Sequence, residues 1–131
     1  MAICLQNAFY IQENNRKTGK TGFMFKTSGI IKSIPYDNIL YFSSEGRHTS
    51  VFSTDGVYDI PVLLKDIEKE LPPDFFIRMH KQHIININNI SGLNRDYNGR
   101  LFVRINDKIN LPVGRFYHET FNEKLKQLSV I

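Results

Sequence analysis

Short runs of β-forming residues, separated by turn-forming residues, recur from Phe23 to Val113 and constrain the fold more than any other sequence feature. Ile39 to Phe42 is an unbroken β-forming run, and Leu101 to Ile105 places aliphatic residues at alternate positions. Dipeptides such as Asp55-Gly56 favour tight turns between such runs. The regular alternation of strands and helices that produces a parallel sheet is absent from the pattern. The sequence therefore predicts short antiparallel strands.

Two segments have helical spacing instead. The first is predicted to run from Pro61 to Leu71 and to end at Pro72-Pro73, because these residues cannot donate backbone hydrogen bonds. Its apolar face comprises Leu63, Leu64, Ile67 and Leu71. The second is an amphipathic C-terminal helix with an apolar face of Tyr117, Phe121, Leu125 and Leu128. The predicted fold class is mainly β with two short helices.

The length of 131 residues suits one compact domain. Asn14 to Gly22 is polar, basic and rich in turn-forming residues, which favours a linker or loose loop. Ala2 to Ile11, just before it, could form a short amphipathic helix or strand. We therefore predict an N-terminal lead-in or linker over residues 1–22 and a folded domain over residues 23–131.

The net charge is +4, and it is unevenly distributed along the chain. Residues 1–40 contain five basic and two acidic residues, residues 41–70 contain three and six, and residues 71–131 contain nine and five. A basic excess on both sides of an acidic helix suits a phosphate-backbone partner. A solvated surface that happens to be basic explains the same distribution.

Cys4 is the single cysteine of the chain, so an intrachain disulfide is impossible. The apolar residues around it lack the preceding basic residues and the cleavage site of a secretory signal. No apolar stretch reaches the length of about 18 residues that a membrane span requires. We expect a cytoplasmic protein with no membrane partner.

Motifs for catalysis or metal binding are incomplete. Lys17 to Thr21 resembles part of a phosphate-binding loop, but the first glycine and the flanking strand and helix are missing. His80 and His83 form an H-x-x-H pair without a third ligand, and in a continuous extended segment their side chains would point to opposite faces. Surface or hydrogen-bonding histidines are the favoured interpretation. We expect no enzyme activity and no cofactor.

Basic and hydrogen-bonding side chains cluster at three predicted turns. The candidate residues are Arg47 and His48 in the first, Arg78, Lys81 and Gln82 in the second, and Arg115 in the third. If the turns share one end of a sheet, they could contact base edges and phosphates of DNA. Three unrelated polar turns would give the same pattern. A single-strand platform built from aromatic residues is another alternative, although Phe42, Phe75, Phe76 and Phe102 look more like core residues.

Five ordered blocks between Phe23 and Leu128 resemble those of the LytTR family, the DNA-binding output domains of many bacterial response regulators. They are Ile34 to Phe42, the predicted helix Leu63 to Leu71 with Pro72, the F-x-R-x-H-like segment Phe75 to Lys81, the I-V-N-like segment Ile84 to Ile90, and the L-P-V-S-R-like segment Leu111 to Arg115. The order and the intervals both fit the family.

The resemblance implies a LytTR-type fold of short antiparallel sheets in which loops, rather than a recognition helix, enter the DNA grooves. It transfers DNA contacts to His48, Lys81 and Arg115, with Arg47 as an alternative to His48. The implied function is sequence-specific binding of double-stranded DNA in bacterial transcription regulation, as a two-component output domain or as a standalone regulator. The implied partners are repeated promoter sites, a second copy of the domain on DNA, and an upstream receiver domain or sensor kinase.

The sequence departs from the family pattern at Gln82, His83 and Gly114, where a serine, an aromatic residue and a serine are usual. The usual glutamate after the first strand block is replaced by Ser43 or Ser44. These departures leave the fold prediction unchanged and leave the target sequence open. A module of the same fold that binds a protein instead of DNA is the alternative function.

Overall fold

Ten strands, two α-helices and three short 3-10 turns make up the computed structural model, which describes residues 22–128. The predictions made for residues 1–21 lie outside the described residues. They include the linker and the incomplete phosphate-binding loop at Lys17 to Thr21. The strands are β1 (Gly22–Thr27), β2 (Ile30–Pro35), β3 (Ile39–Glu45), β4 (His48–Ser53), β5 (Gly56–Ile60), β6 (Phe76–His80), β7 (His83–Asn86), β8 (Ile90–Arg95), β9 (Leu101–Ile105) and β10 (Ile109–Pro112). The helices are α1 (Leu64–Glu70) and α2 (His118–Leu128).

The strands form three antiparallel sheets. The central sheet has five strands in the order β5-β4-β3-β7-β6. A hairpin of β1 and β2 forms a second sheet, and β10-β9-β8 form a third. Every pairing is antiparallel, which confirms the predicted fold class.

The central sheet is buried on both faces and separates two hydrophobic cores. Along β3, Tyr41 belongs to one core and Phe42 to the other, and Ile84 and Ile85 of β7 divide in the same way. Successive side chains of a strand point to opposite faces, so a sheet covered on both sides requires apolar residues at consecutive positions. This arrangement explains the unbroken β-forming runs of the sequence.

Different elements close the two cores. The first core is covered by the β1-β2 hairpin through Phe23 and Phe25, and by α1 through Ile67. The second core is covered by the three-stranded sheet through Val103 and by α2 through Phe121, which is fully buried. The predicted alternation over Leu101 to Ile105 is confirmed, because the three aliphatic residues of β9 face this core.

The first predicted helix begins later than expected. Helix α1 starts at Leu64 rather than at Pro61, because Leu63 is the N-cap residue and has an extended backbone. Leu63 is consequently 39% exposed, although it was predicted on the apolar face, whereas Leu64, Ile67 and Leu71 are buried as predicted. At the other terminus Leu71 is again extended, as the following proline requires.

The C-terminal helix α2 begins at His118, directly after a 3-10 turn over Arg115–Tyr117. Tyr117 therefore lies before the helix, although its partly buried ring packs against the second core as expected. No helix of the described residues 22–128 is long and apolar enough to cross a membrane.

Candidate nucleic-acid interface

Three polar turns meet at one end of the central sheet. The β3-β4 turn and the β6-β7 turn are neighbours there, since the N–H of Ser44 donates to the Gln82 carbonyl at 2.8 Å. The segment after β10 joins them, because the N–H of Gly114 donates to the Met79 carbonyl at 2.7 Å. We call residues 45–48, 80–83 and 114–116 together the basic edge.

The first turn of the basic edge is a two-residue hairpin. Gly46 and Arg47 connect the paired residues Glu45 and His48. Gly46 has a φ of +66°, a left-handed conformation that glycine adopts without strain. Arg47 and His48 are both exposed. The next residue along β4, Thr49, is buried and donates its hydroxyl to the Val62 carbonyl at 2.7 Å, which anchors the hairpin to the segment before α1.

The second turn, which the sequence analysis placed at Arg78, Lys81 and Gln82, is a hairpin of the same length. Lys81 and Gln82 are exposed and connect His80 with His83, which are paired across the two strands. The two imidazole rings lie 5.1 Å apart. The continuous extended segment that would point these histidines to opposite faces is not formed, because the chain reverses between them. The backbone N–H of Gln82 donates to Nδ1 of His80 at 3.0 Å.

The guanidinium of Arg78 stabilises the second turn by hydrogen bonds to its backbone. Its Nε donates to the His80 carbonyl at 2.9 Å and its Nη2 donates to the Lys81 carbonyl at 2.7 Å. Its Nη1 pairs with the Glu68 carboxylate of α1 at 2.7 Å. The side chain is only 16% exposed. Three charge-assisted hydrogen bonds of this length fix the backbone that carries Lys81.

Both histidines of the second turn are held in the neutral form. Burial, followed by the proximity of His80, lowers the pKa of His83 from 6.5 to about 4. Burial and then the charges of Lys81 and Arg78 lower the pKa of His80. At neutral pH His80 and His83 therefore add little charge to the basic edge, whose exposed cationic side chains include Arg47, Lys81 and Arg115.

The third part of the basic edge is the turn before α2. Arg115 and Phe116 are exposed, and Phe116 is 95% exposed. Gly114 allows this turn to approach β6 closely. A Cβ atom at that position would lie 3.1 Å from Cδ2 of Tyr117 and 3.4 Å from Cα of His80. A serine at this position would require the Tyr117 ring to shift by a few tenths of an ångström.

The structure brings the predicted site residues to one edge but gives them different surroundings. Arg47, His48, Lys81, Gln82 and Arg115 are all exposed there. Arg78 lies behind the turn, with its guanidinium engaged by protein groups. Sequence reasoning missed the exposed Phe116. The polar pair Lys81-Gln82 between two apolar runs was the signal from which the second turn was predicted.

Two alternative sites receive no support from the geometry. Within residues 22–128 no three His, Cys, Asp or Glu side chains are grouped so that they could hold a metal ion. The aromatic platform fails because Phe42 and Phe76 are buried in the first core.

The antiparallel β-fold thus presents three basic turns together at one end of the central sheet. Residues 29–126 match the LytTr DNA-binding domain family. The chain belongs to this family, which confirms the resemblance found in the sequence. The family is one of DNA-binding rather than catalytic domains.

Named relatives agree with this assignment. The sensory transduction protein LytT of Enterococcus faecalis is 34% identical over 89 residues, which are 68% of this chain and 37% of that protein. The transcriptional regulatory protein LytR of Staphylococcus aureus is 26% identical over 95 residues, 72% of this chain and 39% of that protein. This chain therefore spans less than half the length of these curated relatives.

A solved structure shares the fold. It is described as the LytTr DNA-binding domain of a methyl-accepting/DNA response regulator from Bacillus cereus. It superposes with a TM-score of 0.72 at 25% sequence identity and covers 82% of this chain and 98% of its own.

Proposed function

We propose that this domain binds double-stranded DNA in a sequence-specific manner through the turns of the basic edge. One observation carries the proposal: Arg47, Lys81 and Arg115 are exposed on three turns that backbone hydrogen bonds join into one surface. Family membership supplies the ligand class, since the matching family is one of DNA-binding domains.

The dimensions of the edge suit a DNA groove. The first turn joins β3 and β4 and the second joins β6 and β7, so their centres are two strand spacings apart in the sheet order. With about 4.8 Å between neighbouring strands, this separation is about 10 Å. The major groove is about 12 Å wide, so both turns can face one stretch of duplex.

Each exposed side chain has a chemically suitable role. Arg115 is assigned to a guanine base, because a guanidinium can donate two parallel hydrogen bonds to its major-groove edge. Lys81 and His48 contact phosphates or base edges nearby, with Arg47 as the alternative to His48 and with Gln82 beside Lys81. Arg78 has a positioning role in this proposal, because its donors already bind the turn and Glu68.

The proposed biological role is transcriptional regulation. It rests on the names of the relatives, which are sensory transduction and transcriptional regulatory proteins. Those proteins are more than twice as long as the matching part, so a receiver domain or a sensor kinase acting upstream belongs to the proposal. The proposal also includes the binding of two copies of the domain to repeated promoter sites.

Selection of bound sequences from a random pool of duplex DNA tests the proposal. We expect a defined motif, which Arg115→Ala binds about 5- to 150-fold more weakly, as the loss of about 1–3 kcal/mol from a base contact implies. The thermal melt of the variant should match that of the wild type, since Arg115 is exposed. Arg104→Ala is the matched control, because it removes an exposed arginine of β9 that bonds the Asp107 carbonyl away from the edge.

Log affinity should also fall linearly with log salt concentration, because DNA binding releases counterions. Equal affinity for all duplexes would contradict sequence-specific binding. A flat salt response together with a stable protein complex would instead favour the interaction module.

A further inference from the structure

Phe116 is an almost fully exposed aromatic residue beside the arginine assigned to base reading. We propose that Phe116 contacts the C5 methyl group of a thymine next to the base pair read by Arg115, and so selects thymine at that position. This inference rests on the proposed function and deepens it, because it assigns a second specificity-determining residue to the same turn.

The turn geometry directs Phe116 outward together with Arg115. Arg115–Tyr117 form a 3-10 turn, in which each residue is rotated by about 120° from the previous one. Tyr117 is partly buried against the second core, with the Arg78 guanidinium 6.0 Å from its ring centroid. With Tyr117 facing inward, the two residues before it face away from the protein.

The turn is also held firmly, so the position of Phe116 is defined relative to the second turn. The Gly114 N–H bonds the Met79 carbonyl, and the Tyr117 N–H bonds the Gly114 carbonyl at 2.9 Å. The close approach of Gly114 to His80 leaves little room for the turn to shift. A contact made by Phe116 would therefore be fixed in register with those of Lys81 and Arg115.

The chemistry of the side chain selects its ligand. A phenyl ring has no hydrogen-bonding group, so it cannot distinguish the donors and acceptors of the base edges. In the major groove the thymine methyl is the apolar group that it can recognise. Other exposed hydrophobic residues, such as Ile31 and Val57, lie outside the basic edge. Phe116 alone among the exposed large hydrophobic residues of the described part lies within it.

Replacement of thymine by uracil, which removes only the methyl group, tests the contact. In the duplex selected by the wild-type domain, each thymine is replaced in turn, and affinity is measured for wild type and Phe116→Ala. For one thymine adjacent to the Arg115 contact, we expect uracil to weaken wild-type binding about fourfold, equivalent to about 0.8 kcal/mol for one methyl-sized group. Phe116→Ala should bind both duplexes equally.

Val57→Ala serves as the matched control. Val57 is 60% exposed and pairs with Phe52, at the end of β4 away from the basic edge. This variant should keep the wild-type response to uracil, and Phe116→Leu should keep part of it.

An equal response of wild type and Phe116→Ala to uracil at every thymine would overturn the inference. If Phe116→Ala instead changed only the self-association measured by sedimentation, Phe116 would be a protein contact, which also overturns it. In both cases, binding that still depends on Arg115 would leave the proposed function standing. Absence of a preferred sequence for the wild type would reject both.

Discussion

Both ends of the central sheet carry polar residues in their turns, but the surroundings of these side chains differ between the two ends. At the basic edge the polar side chains of the turns are exposed, as Arg47, Lys81 and Arg115 show. At the opposite end, which we call the Asn86 end, polar side chains are directed to backbone groups of the protein. The 3-10 turns Tyr36–Asn38 and Ile87–Asn89 lie there.

Asn86 shows how the second end is closed. It is fully buried, and its Nδ2 donates to the carbonyls of Tyr36 at 2.8 Å and Ile39 at 2.9 Å. Its Oδ1 accepts from the N–H of Asn88 at 2.9 Å. Asn89 donates to the Ile39 carbonyl as well, at 3.0 Å. A turn whose side chains complete the backbone hydrogen bonding stabilises the fold, whereas a turn with free donors is available to a ligand.

Arg78 is the exception that connects the two uses. It was predicted with the residues of the second turn, yet it bonds the backbone as Asn86 does. A polar turn residue is structural or functional according to where its hydrogen-bond partners lie, and not according to its residue type. Each of the following variants tests one side of this distinction.

The largest effect on stability is expected for Asn86→Ala. The variant removes the three hydrogen bonds of a fully buried side chain, which at about 1 kcal/mol each should lower the free energy of unfolding by about 3 kcal/mol. Urea titration measures this loss. Asn88→Ala is the control, because the side chain of Asn88 is exposed and the same turn is retained. Unchanged stability with weakened DNA binding would mean that the Asn86 end takes part in recognition.

Arg78→Gln should affect both stability and binding. Loss of the bonds to the His80 and Lys81 carbonyls and to Glu68 should lower the free energy of unfolding by about 2 kcal/mol. DNA affinity should fall because Lys81 is less well positioned, while the slope of log affinity against log salt stays the same. A slope reduced by about 0.9 would show that Arg78 contacts a phosphate directly.

Lys81→Ala is expected to act only on binding. If Lys81 contacts a phosphate, the salt slope should decrease by about 0.9 and affinity should fall several-fold for all sequences. Stability should change by less than about 0.5 kcal/mol, because the side chain is exposed. Lys108→Ala, at an exposed position between β9 and β10, is the control for charge alone. Equal salt slopes for Lys81→Ala and wild type would remove Lys81 from the phosphate contacts.

The smallest effect concerns the acid response of the second turn. Because the folded state lowers the pKa of His83 from 6.5 to about 4, the unfolded chain takes up a proton first as the pH falls. The contribution of neutral His83 to the free energy of unfolding should be fully present above about pH 6.5. It should decrease as the pH falls from 6.5 to about 4. Partial exposure of His83 allows solvent to reduce this effect.

Melting temperatures at pH 7 and pH 5 test this expectation. The decrease should be smaller for His83→Gln than for the wild type, and His48→Gln, at an exposed position, should behave as the wild type. A decrease of the same size in all three proteins would exclude His83 as its origin.

Much of the fold could be predicted because it is encoded locally. The alternation over Leu101 to Ile105, the unbroken run at Ile39 to Phe42 and the proline pair after Leu71 each act within a few residues. The boundaries of the elements were predicted less accurately, since α1 starts at Leu64 rather than at Pro61. The turn at Lys81-Gln82 was predicted from its polar residues, but a continuous extended segment stayed open as an alternative because nothing in the turn requires glycine.

The antiparallel β-fold, its two helices, the family and the polar residues at each turn could be inferred from the sequence. Which of these residues face outward depends on how the sheets pack. The carbonyls that Asn86 bonds lie 50 and 47 residues away along the chain, and Glu68 lies ten residues from Arg78 on another element. Local patterns carry no information on such partners, because the pairing of distant backbone groups is fixed only when the sheets pack. This is why Arg78 and Arg115 look equivalent in the sequence and differ in the folded domain.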